Sequence, residues 1–149
     1  MPKRVYTRAY ASVRFMAPEL DPLEITNALR LPPDSQHRRG EPRINRSAKG
    51  VVNEYAPYRF GLWSMSSEQW VDSRRLETHL KWLLDELEPC ADAFSSLDIT
   101  DLRIDLFCFS MGASPSPPSI PRSIIERADR LGISVDIDHY DSTNDESVA

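Results

Sequence analysis

Apolar and polar residues alternate along Val5–Met16. The odd positions Val5, Ala9, Ala11, Val13 and Phe15 are apolar, and the even positions Tyr6, Arg8, Tyr10, Ser12 and Arg14 are polar or amphipathic. A period of two predicts a long strand with one buried face. The alternation returns over Ile99–Met111, where Leu102, Ile104, Leu106 and Cys108 interleave with Arg103, Asp105, Phe107 and Phe109. The C-terminal half of that stretch is apolar on both sides, which predicts a central strand covered on each face. Tyr58–Met65 alternates too, with Tyr58, Phe60 and Leu62 on one side, and Gly61 marks a bulge or a close backbone approach. Ile133, Val135 and Ile137 give a last strand.

Between these segments the period changes. Asp21 suits a helix cap, Pro22 the first helical position and Glu24 the third, with Leu20 and Ile25 placed as a hydrophobic staple. This predicts a short helix from Pro22 to about Arg30, stopped before Pro32 and Pro33. Leu76, Leu80, Leu83, Leu84 and Leu87 form the stripe of the main helix, predicted over Asp72–Glu88. Glu77 and Lys81 pair on its outer side, and His79 reads as an exposed neighbour of Glu77. Pro89 ends or kinks this helix, with a second helical piece reaching Leu97. Ala113–Pro121, with four prolines and three serines, reads as a loop. Ile124, Ile125, Ala128 and Leu131 give a last short helix closed by Gly132. Residues 34–57 are polar and irregular, with room for one short edge strand.

The resulting order predicts an α+β protein: a mixed, mostly antiparallel sheet with helices on one face, a ferredoxin-like core and a C-terminal helix-strand extension. Residues 1–140 form one domain, and the acidic segment 141–149 is expected to be a disordered tail. With 149 residues, 40% apolar and 28% charged, the composition is that of a globular chain. A net charge of −5 disfavours nucleic acid as a partner. The sign is uneven: Arg38–Lys49 holds five basic residues against Glu41, whereas Asp136–Ala149 holds five acids and no base. No apolar run is long enough to cross a bilayer, the N-terminus has no signal-like core, and Cys90 and Cys108 form no disulfide framework. The expected location is therefore the cytoplasm.

Five stretches in order resemble one family. They are Asp21-Pro22-Leu23-Glu24-Ile25, His37-Arg38-Arg39-Gly40-Glu41-Pro42, Tyr58-Arg59-Phe60-Gly61-Leu62-Trp63-Ser64, Leu76-Glu77-Thr78-His79-Leu80-Lys81-Trp82-Leu83-Leu84 and Asp105-Leu106-Phe107-Cys108-Phe109. Together they are similar to the domain of unknown function 4279 family, over roughly Ala9 to Tyr140. The chain departs from it at Ser114-Pro115-Ser116-Pro117-Pro118-Ser119, where the family tends to be glycine-rich. The resemblance implies a small stand-alone bacterial α+β protein and carries no activity, so no catalytic residue transfers.

The candidate chemistry is that of binding. His37, Arg38, Arg39, Arg43, Arg46 and Lys49 can gather around a phosphate, a carboxylate or an acidic partner. The plainer reading is a solvated loop whose charges protect a sheet edge. Trp63 and Trp70 flank the start of the main helix and Trp82 lies within it; beside arginine they suit an interface, and otherwise they cover the core. Asp136, Asp138, His139 and Asp141 alternate across a strand and do not converge on a metal, and neither cysteine sits in a nucleophile's setting. No cofactor or catalytic set is called for. The sequence thus points first to a non-enzymatic protein that docks a protein partner, such as an immunity protein meeting a basic toxin domain. The alternative is a small-molecule or anion-binding module using loop 37–49, with Arg39 and Arg43 as ligands. An enzyme would show a deep pocket lined by His37, Trp63 and Asp105. A homo-oligomer stays open.

Overall fold

In the computed structural model, which describes residues 5–143, β1 (Tyr6–Ala17) runs through the middle of a five-stranded sheet. The order is β2 (Ser35–His37), β5 (Gly61–Ser66), β1, β6 (Arg103–Gly112) and β7 (Ser134–Asp141). β1 is antiparallel to both β5 and β6, so β5, helix α2 (Leu76–Leu87) and β6 make a split β-α-β unit with β1 threaded between. That is the ferredoxin-like part of the core. Helix α4 (Arg122–Arg130) then returns the chain to β7, which lies parallel to β6, as the C-terminal extension. The α+β architecture expected from the alternation is the one observed, although β1 rather than β6 takes the middle place.

One face of the sheet carries the helices. Ala9, Ala11, Val13, Phe15 and Ala17 of β1, Trp63 and Met65 of β5, and Leu106 and Cys108 of β6 pack there against Leu76, Leu80, Leu83, Leu84 and Leu87. The five leucines are 0–2% exposed, and each contributes about 1.5–3 kcal/mol by leaving water. The Glu77–Lys81 pair on the outside, at 3.0 Å, is screened by solvent and is minor beside that burial. Burial of the stripe sets the position of α2.

Local signals account for the helix ends. Asp21 accepts from the Leu23 N–H at 3.0 Å and caps α1 (Pro22–Leu29), while Leu20 and Ile25 both enter the core. Gly132, at φ 72°, closes α4. Pro89 stops α2 in a 3₁₀ turn, Glu88–Cys90, before α3 (Ala91–Ser96). At Gly61 a Cβ would sit 2.3 Å from the Leu20 carbonyl oxygen, so this glycine marks a close backbone approach.

Four expectations are corrected. Helix α2 begins at Leu76, because Ser73 turns the preceding segment by accepting from the Arg75 N–H at 3.1 Å. His79 is 1% exposed, lying on the leucine side between Leu76 and Leu83. Residues 34–57 hold more than an edge strand: besides β2 they form a hairpin of β3 (Arg43–Arg46) and β4 (Val52–Tyr55) that stands apart from the main sheet. Asp141 ends β7, and the buried Ser142 donates its N–H to Gly112, so no tail begins at Asp141; positions 144–149 lie outside the described residues.

Candidate functional site

Among the described residues, no helix lies on the second face of the sheet. Register places Tyr10, Ser12, Arg14 and Met16 of β1 there, with Leu62, Ser64 and Ser66 of β5, Asp105, Phe107, Phe109 and Met111 of β6, and Asp136, Asp138 and Tyr140 of β7. The second apolar side of β6, expected to lie under another layer, is therefore covered only by side chains. Tyr10 stacks on Phe109 with ring centroids 5.1 Å apart. The Arg8 guanidinium lies over both rings, 5.6 and 5.5 Å from their centroids, and pairs with Glu68 at 2.5 Å. Arg14 lies 4.7 Å over Phe107 and grips Asp105 with two hydrogen bonds, 2.8 and 2.6 Å long. That hydrogen bonding raises the Arg14 pKa above its ordinary value despite partial burial.

The β7 border of this face is acidic, and the uncharged β2 border leads into a basic arm. Along β7, Asp136 and Asp138 are exposed and have no ion-pair partner among the described residues. At the β2 border, His37 stacks on Tyr58 at 3.5 Å between centroids, and Arg43 lies over Tyr58 and Tyr55 at 5.8 and 5.3 Å. This ladder joins the sheet to the β3–β4 hairpin, a projecting arm exposed at every position of its strands. Gly50 makes the tight turn at its tip, with φ 78°. Ile44, Val51, Val52 and Tyr55 are exposed on the arm beside Arg46 and Lys49. His37 is 8% exposed, and burial pushes its pKa below the ordinary value against a hydrogen bond to the Phe60 backbone. The neutral ring donates there, which leaves Nδ1 a buried acceptor without a partner.

The candidate residues named from the sequence are thus dispersed. His37 and Arg43 come together in the ladder. Arg38 and Arg39 turn back to Asp21 and Glu19 at 2.8 and 2.5 Å, fastening the loop to the start of α1. Arg46 stands apart on the arm. Trp63 is 0% exposed, packed edge-on against Phe15 with its indole N–H bonded to Thr26 Oγ1 at 3.0 Å. It is a core residue with no surface to give a partner, because odd positions of β5 face the helices. It therefore lies on the opposite side of the sheet from His37 and Asp105, and these three line no common pocket. Trp70 is 59% exposed and stacks on Trp82 at 6.4 Å.

Two serine–histidine contacts escaped the sequence reading. Ser67 Oγ lies 2.7 Å from His79 Nδ1, and Ser110 Oγ lies 2.6 Å from His139 Nδ1. Each Nε2 faces a carbonyl, of Ser73 at 2.7 Å and Ser114 at 2.8 Å, so each Nε2 carries the proton and each serine donates to Nδ1. Both serines are 0% exposed, which closes them to any substrate and makes the pairs clamps between elements. The Cys108 thiol is pushed up to about 12 by burial, and Cys90 is raised by burial and then by Glu86. Among the described residues, no three histidine, cysteine or carboxylate side chains group as a metal site would, and no helix is long and apolar enough to cross a membrane.

A split β-α-β sheet with helices on one face and an arginine-dressed aromatic patch on the other defines a small α+β protein with a naked sheet surface. The family model described as Domain of unknown function (DUF4279) matches residues 6–142, and the chain belongs to that family. No curated protein and no solved structure matches the chain.

Proposed function

We propose that this protein is a docking module that binds a protein partner through its helix-free sheet face. The observation behind this reading is that Tyr10, Phe107 and Phe109 stay half-buried beneath arginines, with Met111 on the same side of β6, on a surface that no element of the described residues covers. Tyrosine, phenylalanine and arginine are the residues from which desolvated interface anchors are made. Arg8 and Arg14 already hold carboxylates, so a partner closing over them would strand no unpaired charge. The exposed carboxylates of Asp136 and Asp138, which make no ion pair within contact distance among the described residues, favour a partner with basic groups at that border, and a toxin domain met by an immunity protein is one such case. Small-molecule binding at loop 37–49 has less support, since Arg38 and Arg39 are already tied to carboxylates.

The test is affinity capture from the source cells with the wild type and a Tyr10→Ser, Phe109→Ser variant of unchanged circular dichroism. The wild type is expected to retain a protein that the variant loses. Equal retention by both would remove this face from the account.

A further inference from the structure

The two edges of the main sheet are finished differently. β2 offers only three residues before the chain leaves it for the arm, and a short edge strand pairs with little. β7 forms the other edge and runs for eight residues, with no proline, lysine or bulge to blunt it. No strand among the described residues lies beyond it.

Alternation fixes what that edge presents. The Ser142 N–H reaches the Gly112 carbonyl at 2.8 Å, and the pairing of β6 with β7 runs without a slip from Asp105 to Gly112. Even positions of β7 therefore turn their N–H and C=O groups to β6, and the odd positions Val135, Ile137 and His139 turn theirs outward. The side chains sort by the same parity. Asp136 and Asp138 lie on the helix-free face, about 7 Å apart, the repeat at which an extended chain returns to one side. Ile137, on the other side, is 37% exposed at the rim.

These features select the strand that fits. Two copies of β7 paired antiparallel about Ile137 would set Asp136 against Asp138 twice over, and like charges directly opposite are destabilising. A segment with basic and apolar residues in alternation meets the edge at every position. It brings cations to Asp136 and Asp138, apolar cover to Val135 and Ile137, and backbone partners to the outward row. Antiparallel pairing is the more stable of the two directions.

We infer that the β7 edge takes up an extended segment of a partner protein, alternating basic and apolar residues, as an antiparallel sixth strand of the sheet. The edge adjoins the face proposed for docking and stands on separate observations.

The test adds the acetylated and amidated peptide Lys-Val-Lys-Val-Lys-Val-Lys to the full chain and follows amide exchange by residue with NMR. In the free chain, the Ile137 and His139 amides are expected to exchange quickly and those of Asp136 and Asp138 slowly. Saturating peptide slows the first pair and leaves the second unchanged. Methylating the valine nitrogens, which face β7 in this pairing, weakens binding about tenfold or more by removing hydrogen bonds at unchanged charge. Methylating the lysine nitrogens, which face away, leaves the affinity near that of the parent peptide. Asp136→Lys with Asp138→Lys weakens binding, and Ile137→Pro, which blocks an outward position without touching the bonds to β6, abolishes the protection of His139. Peptide that leaves Ile137 and His139 exchanging freely would overturn the inference. So would equal binding with the valine nitrogens methylated, which is attraction between a basic peptide and an acidic chain alone. Protection of the same two amides that grows with protein concentration, without peptide, would assign the edge to a second copy and overturn it as well. Each of these failures leaves the docking face to its own test with Tyr10→Ser and Phe109→Ser, so the two readings fall separately.

Discussion

The Ser67 clamp allows a sharp test of the packing described above. Ser67 follows β5, and its Oγ accepts from the Ala11 N–H of β1 at 3.0 Å while donating to His79 Nδ1 of α2. Ser67→Ala removes one atom and leaves two buried groups without a partner, a backbone donor and an imidazole acceptor. Each costs about 1–3 kcal/mol once unsatisfied, so the loss should be about 3 kcal/mol. Against a total of about 5–15 kcal/mol for a domain of this kind, that is a large fraction. Urea unfolding reads it directly as a lower midpoint at constant slope. The double variant Ser67→Ala, His79→Leu removes the stranded imidazole and should be less destabilised than the sum of the two single changes. A single-variant loss below about 1 kcal/mol, or strict additivity in the double variant, would show that the clamp is not shared between β1 and α2.

Gly61→Ala brings a Cβ to 2.3 Å from the Leu20 carbonyl oxygen and 2.7 Å from its Cβ. The forced separation of β5 from the start of α1 should cost about 1–3 kcal/mol, measured by the same unfolding midpoint. His37 is held below its ordinary pKa of 6.5 by burial, so the unfolded chain takes up the proton first. Its effect on stability is nil well above pH 6.5, grows as a loss while pH falls from there to the folded pKa, and levels off below it. A His37→Phe variant should lack that part of the slope in unfolding midpoints taken across the range. Cys108, with its thiol pushed up to about 12 and no exposed surface, should not react with a disulfide reagent at pH 8 until the chain unfolds. Cys90, half-buried and bonded to the Leu29 carbonyl at 3.4 Å, should react slowly in the folded protein.

What could be read from the sequence follows the burial contrast. β1, α1 and the leucine stripe show their periods cleanly because each has one buried side, and the strand and helix periods register that. The arm was opaque for the opposite reason. All residues of β3 and β4 are exposed, so no hydrophobic period marks them. His79 was misplaced because its imidazole counts as polar, yet its spacing of three from Leu76 and four from Leu83 put it on the stripe. The naked face of β6 misled because Phe107 and Phe109 are half-covered by the stems and guanidinium planes of Arg8 and Arg14, an apolar role that a polar label hides. Trp63 and Trp70 looked alike in composition, and only the pairing of β5 with β1 separates the buried one from the exposed one.

Hydroxyl-radical footprinting resolved by residue, carried out with and without the protein captured from the source cells, tests the docking face most directly. Tyr10, Phe107, Phe109 and Met111 should lose reactivity together when that protein is bound, while Trp70 and Leu23, exposed away from that face, stay constant. Protection that gathers around Trp70 and leaves those four side chains unchanged would contradict the account.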